Sequence, residues 1–139
     1  MRDENCIFCK IIDGQIPSTT VYEDDLFKVI LDIAPANKGH VIILPKNHCE
    51  NIFDVDATIA SKAFIIASKV ATALKNTLSC DGINVVQNNG VAAGQTVFHL
   101  HIHVIPRYES DGVDFEWTKV SYEDGEAAKL ASKIASALQ

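Results

Sequence analysis

The spacing of apolar residues changes several times along this chain, and each change predicts an element. Leu26-Phe27-Lys28-Val29-Ile30-Leu31-Asp32 and His40 to Leu44 are short runs rich in β-branched residues, bounded by turn formers. Both read as strands. Thr19 to Tyr22 reads as a strand joined to the first of them through the turn Glu23-Asp24-Asp25. From Asp54 or Asp56 to about Leu78 the period lengthens. Ile59, Ala63, Ile66, Val70, Leu74 and Leu78 step by three or four, which makes one helical stripe, with Lys62, Lys69 and Lys75 off it. Ser79-Cys80-Asp81-Gly82 ends this helix, and Ile83 to Gln87 reads as a further strand. A second amphipathic helix runs from about Tyr122 or Gly125 to Leu138, with Ala127, Leu130, Ile134 and Leu138 on its stripe. Glu109 to Tyr122 is irregular and polar. At the other end, Cys9 to Asp13 reads as a helical turn stopped at Gly14 and Pro17.

The strictest alternation is Phe98-His99-Leu100-His101-Ile102-His103-Val104-Ile105-Pro106, which reads as a strand with three imidazoles on one face. Three of the five histidines of the chain lie here, too dense a set for an incidental polar face. At about 3.3 Å per residue, His99 and His103 stand about 13 Å apart. One tetrahedral metal with bonds near 2 Å cannot hold both ends of the row. The histidines therefore divide their labour.

Length and charge narrow the field. With 139 residues, 47% of them hydrophobic and 22% charged, one domain around one core is the simplest expectation. The formal charge of −6 argues against a nucleic-acid polymer as partner, though not against a small phosphorylated ligand. No run approaches 18 uncharged apolar residues, and Met1-Arg2-Asp3-Glu4-Asn5 lacks the apolar core of a signal peptide. A cytoplasmic protein without a membrane partner is expected. Four cysteines in that setting point to metal or free thiols rather than disulfides.

Two groups of residues carry candidate chemistry. Cys6 and Cys9, three apart, can place two sulfurs on one metal; the same spacing fits a redox dithiol, but no βαβ pattern lies nearby. His48, just past a strand end, and His99 complete a closed Cys2His2 set, which suits structural zinc. The second group is His101 with His103, Asn88, Gln95, Thr96 and Asp32. A neutral imidazole is a good nucleophile toward phosphorus. The loop Asn88-Asn89-Gly90-Val91-Ala92-Ala93-Gly94-Gln95-Thr96 supplies glycines and uncharged polar groups suited to phosphate oxygens. Asp32 either accepts from ligand hydroxyls or caps the following turn. His40 is expected to face solvent or cap a turn, and Cys49 and Cys80 to be ordinary small residues.

His99-Leu100-His101-Ile102-His103-Val104-Ile105 resembles the His-φ-His-φ-His-φ-φ signature of the histidine triad (HIT) superfamily. Cys6-Ile7-Phe8-Cys9-Lys10-Ile11-Ile12, Ile16-Pro17, Leu31-Asp32-Ile33, Lys38-Gly39-His40 and Gly94-Gln95-Thr96-Val97 support it. The likeness covers roughly residues 5 to 108 and is to the Hint branch in its zinc-binding bacterial form. It implies a single HIT domain over residues 1–139, with a C-terminal helical extension at about 122–139. The implied fold is α+β, an antiparallel sheet of about five strands with one long helix, paired as a homodimer. The implied activity is that of a purine nucleoside 5′-phosphoramidase, releasing AMP and an amine through a covalent nucleotidyl-histidine at His101. Dinucleoside polyphosphate hydrolysis, or a nucleotide-binding scaffold with incidental turnover, are the alternatives. On this resemblance His103, Asn88 and Thr96 contact phosphate, Asp32 holds ribose hydroxyls, and Phe8, Ile11 and Ile33 flank the base. Cys6, Cys9, His48 and His99 hold zinc. The chain departs from eukaryotic Hint proteins at its end, where a helix replaces a Trp-containing tail.

Overall fold

A computed structural model describes residues 1–138. Five strands form one antiparallel sheet: β1 (Thr20–Glu23), β2 (Phe27–Leu31), β3 (Val41–Pro45), β4 (Gly82–Val86) and β5 (Ile102–Arg107), in the order β1-β2-β3-β5-β4. This is the α+β fold expected, with strand ends displaced by a residue or so except at the start of β5. Alternation along the strands sends side chains to two faces. Phe27, Val29, Val41, Ile43, Ile102 and Val104 take one face, against the long helix α2 (Ala57–Leu78). Ile30, Ile42 and Leu44 take the other, against the short helix α1 (Ile7–Ile12) with Phe8, Cys9, Ile11 and Ile12.

α2 starts where Asp56 caps the amides of Thr58 and Ile59. It stops at Ser79, which turns left-handed (φ 51°). Its buried residues, Ala63, Ile66, Ala67 and Val70, belong to the stripe read from the sequence or adjoin it. In its most apolar 18-residue window the mean hydropathy reaches 1.4, so α2 is long and apolar enough to cross a bilayer. Counting uninterrupted apolar residues missed this, because lysines break the run. Here it is the helix that covers the sheet. Helix α3 (Glu126–Ala137) forms as expected, but none of its residues is buried.

The histidine row departs from the sequence reading. The ladder begins only at Ile102, paired with Ile43, so His99 and His101 precede β5 in irregular backbone. Leu100 instead donates its N–H to the Cys49 carbonyl at 2.7 Å. His103 lies on the α1 face, opposite Ile42.

Candidate active site and metal centre

Cys6, Cys9, His48 and His99 converge, although up to 93 residues separate them. Cys6 caps α1, its sulfur accepting from the Cys9 amide at 3.4 Å. His99 Nδ1 lies 3.4 Å from Cys6 Sγ and 3.6 Å from Cys9 Sγ. His48 Nδ1 lies 3.5 Å from Cys9 Sγ and 3.2 Å from His99 Nδ1. A tetrahedral zinc with bonds of about 2.3 Å to sulfur and 2.0–2.1 Å to nitrogen spaces its ligands about 3.5 Å (N to S) and about 3.3 Å (N to N) apart. The observed edges match both.

Tautomers strengthen the fit. His99 Nε2 donates to the Pro45 carbonyl at 2.8 Å, so its Nδ1 carries a lone pair. Burial pushes the His99 pKa down to about 4, which keeps the ring neutral. A lone pair facing the Nδ1 of His48 amid two sulfurs is the donor set a soft cation requires. The residues therefore fit zinc, and all four positions of such a centre are filled by protein. Nothing in that arrangement leaves a coordination position for catalysis.

The second cluster is Asp32, His40 and His103. Of the two readings of His40 the turn cap holds and the solvent-facing one does not, because the side chain is buried against the turn that starts at Ala36. The Ala36 amide donates to His40 Nδ1 at 3.0 Å, which fixes the proton on Nε2. His40 Nε2–H then donates to His103 Nδ1 at 2.9 Å, with Asp32 Oδ2 at 3.4 Å. His103 in turn carries its proton on Nε2. A metal at this cluster would displace the Nε2 proton of His40 and face its Nδ1 with an amide N–H. Three potential ligand atoms thus lie together without forming a metal site. Burial and the neighbouring imidazoles push the His103 pKa down to about 4.

His101 Nδ1 donates to the main-chain carbonyl of His99 at 2.6 Å, leaving the lone pair on Nε2. Burial lowers its pKa, so the ring is neutral at pH 7. The rings of His101 and His103 stand 5.0 Å apart, and Phe8 meets His101 edge-on at 5.0 Å. A lone-pair nitrogen thus sits beside an N–H donor, which is the pairing that attack on a phosphoryl group needs.

The remaining expected residues divide. Of the two readings of Asp32 the structure shows the turn cap: Oδ1 accepts from the Ala34 amide at 2.8 Å, while Oδ2 faces the two imidazoles. Ile11 is buried against α1's partners, and Ile33 is fully exposed. Asn88 makes no side-chain hydrogen bond among the described residues, and Thr96 is exposed. Gln95 is corrected. It is buried, its Nε2 donates to Glu50 O at 2.7 Å and Val97 O at 3.1 Å, and its Oε1 accepts from the Gly90 amide at 2.8 Å. Its amide braces the loop and has no donor left for a phosphate. Between these residues the loop folds as a 3-10 turn, Val91–Ala93, flanked by Gly90 (φ 89°) and Gly94 (φ 91°). At Gly94 a side chain would approach Asn88 Nδ2 to 3.5 Å.

Known proteins resemble this chain in sequence and fold. The crystal structure of a HIT family protein from Bacillus anthracis matches with a TM-score of 0.91 and 43% identity, over 98% of this chain and 99% of that one. A Zn-bound histidine triad family protein from Mycobacterium smegmatis matches with a TM-score of 0.76 and 35% identity, over 96% and 97%. The Adenylylsulfatase HINT3 of Arabidopsis thaliana is 37% identical over 94% of this chain and 68% of its own length. The model of the HIT domain matches residues 13–110, and with that match the chain is placed among the HIT proteins.

Proposed function

We propose that the chain is a nucleotide-binding hydrolase of the HIT type, and within that class a purine nucleoside 5′-phosphoramidase. The observation that carries the proposal is the pair of opposed tautomers: His101 holds its proton on Nδ1 against the His99 carbonyl, and His103 holds its proton on Nε2 behind His40. His101 Nε2 attacks the phosphorus of a nucleoside 5′-phosphoramidate. The P–N bond breaks as the amine nitrogen takes a proton from solvent water, and the nucleotidyl group rests on His101, a proton being returned to solvent when water later attacks. Water then attacks phosphorus, releases the nucleoside monophosphate and restores the imidazole. The His103 Nε2–H, the Asn88 amide and the Thr96 hydroxyl supply donors to the phosphoryl oxygens as charge develops. Asp32 is proposed to hold the ribose hydroxyls, and Phe8, Ile11 and Ile33 to flank the base.

Two relatives lend support to the wider class. The Arabidopsis relative is named an adenylylsulfatase, and the Mycobacterium smegmatis relative is described as Zn-bound. Zinc held by Cys6, Cys9, His48 and His99 is proposed as structural. It would tie α1 to the end of β3 and to the main chain that orients His101. The homodimer is proposed across β4, an outer strand of the sheet whose Val85 is half exposed. We also read residues 1–139 as one HIT domain with a C-terminal extension.

Steady-state hydrolysis of an adenosine 5′-phosphoramidate tests the reading. Wild type should turn over, and His101→Ala should lose at least about three orders of magnitude in kcat while keeping its fold. Turnover of a dinucleoside polyphosphate with the higher kcat/KM would favour the runner-up activity. Equal turnover by His101→Ala would remove the proposal.

A further inference from the structure

Among the described residues α2 is the one helix packed on its face of the sheet. It buries Phe27 and Val29 of β2 together with residues of β3 and β5, which leaves Val21 and Tyr22 of β1 and Leu31 at the end of β2 uncovered on that side. The result is an apolar groove of about 500 Å³, walled by Val21 and Leu31 on the sheet side and by Ile66, Val70, Leu74 and Leu78 on α2. It faces away from the histidines, which are on the α1 side. The chain also carries an apolar helix with nothing against it. The stripe of α3 is Leu130, Ile134 and Leu138, which are 42%, 53% and 82% exposed.

The two surfaces fit one another. The stripe from Ala127 to Leu138 is about 16 Å long, and the α2 wall from Ile66 to Leu78 is about 18 Å long. Charge matches along the arm that precedes the helix: α2 carries Lys62, Lys69 and Lys75 and no acidic residue, and residues 112–126 carry Asp114, Glu116, Glu123, Asp124 and Glu126 against Lys119 alone, while α3 itself adds Lys129 and Lys133 and enters the groove by its apolar stripe.

The arm that bears α3 is firmly rooted. Arg107 Nε donates to Asp111 Oδ2 at 2.8 Å and its Nη1 to Asn84 Oδ1 at 2.6 Å. Asn37 also donates to Asp111 Oδ2 at 2.9 Å. Asn37 lies two residues before Gly39, at the mouth of this chain's own groove. The arm therefore starts within reach of its own groove, yet α3 stays exposed along its whole length. The likeness to the Bacillus anthracis chain covers 98% of this chain, so it takes in the arm as well.

We infer that α3 of one copy lies in the α2–β1–β2 groove of a second copy, so that the two chains exchange their C-terminal arms. The inference rests on the dimer reading given above. Each chain supplies the helix that the partner's sheet lacks, and the acidic arm meets the partner's lysine row.

Photo-crosslinking decides it. The full chain carrying Leu130→p-benzoylphenylalanine is mixed with 15N-labelled wild type, equilibrated and irradiated. The expected product runs at dimer mass and maps residue 130 of one copy to 66–78 of the other, with mixed isotopes. Ala73→Glu, at an exposed position in the groove, should reduce that product at least fivefold without altering turnover. A product at monomer mass places α3 in its own groove and overturns the inference, as does a dimer whose crosslinks miss the groove. A chain that remains monomeric at all concentrations defeats the dimer reading together with this one. Phosphoramidate turnover is measured alongside, so failure of the catalytic reading shows separately.

Discussion

His40 Nε2 lies 2.9 Å from His103 Nδ1, and that contact decides which nitrogen of His103 can serve a ligand. The Ala36 amide sets the proton of His40, and His40 sets the proton of His103. A main-chain N–H in a turn thus determines the state of a side chain 67 residues away. The His99 carbonyl does the same for His101 with the opposite outcome. Two imidazoles with rings 5.0 Å apart are held in complementary states by main-chain groups.

Long-range 1H–15N NMR of the histidines reads this arrangement directly. His101 should show the Nδ1–H tautomer, and His40 and His103 the Nε2–H tautomer, at pH 7. In His40→Ala, His103 should become a mixture of tautomers, and kcat should fall about 10- to 100-fold with little change in KM. An unaltered His103 spectrum in that variant would show that His40 only fills space.

Gln95 and Asn88 should separate by stability. Gln95→Leu leaves the part-buried Gly90 amide and Glu50 carbonyl without their partner, which costs about 1 kcal/mol and speeds hydrogen exchange in the loop. Asn88→Ala should change stability by under about 0.5 kcal/mol while raising KM for the phosphoramidate about tenfold. Denaturant melts and initial rates on both variants check the pair.

The metal centre predicts one zinc per chain by elemental analysis. Cys9→Ser or a strong chelator should lower Tm by on the order of 10 °C, because the clip ties α1 to β3 and the His99 segment. Activity should fall too, since the His99 main chain orients His101. A metal-free protein with unchanged Tm would contradict the centre.

Stability should drop toward acid through His103. Its folded pKa is pushed down to about 4, below the ordinary 6.5, so the unfolded chain takes up this proton first. The unfolded state binds more protons between those values, and stability is therefore lost as pH falls from 6.5 toward 4. The contribution is roughly 1–3 kcal/mol, and His103→Gln should flatten that part of the curve. Denaturation midpoints at several pH values measure it.

The legible parts of the chain were those whose signal is local. Runs such as Val29-Ile30-Leu31 and the stripe of α2 declare their elements by period alone. Cys6 and Cys9 were legible from their spacing, while His48 and His99 as their partners rested on the likeness to the HIT family. His40 was not, since a lone histidine at a strand start has no period, and its partner is 63 residues on. Alternation placed His99 and His101 inside the strand, but side-chain and main-chain demands at the Cys cluster and at Cys49 O keep that segment out of the ladder. Composition marked the loop before His99 as polar, but it could not say that Gln95 points inward while Asn88 stays unpaired. The bare groove beside α2 was equally hidden, because periodicity shows a helix face and not what covers the sheet next to it.

The central claim is that His101 becomes covalently nucleotidylated. Intact-protein mass spectrometry after a rapid quench with an adenosine 5′-phosphoramidate tests it most directly. The account predicts an acid-labile adduct of one adenosine monophosphate on wild type and none on His101→Ala. Turnover with no adduct on wild type at any quench time, or an adduct that persists in His101→Ala, would contradict it.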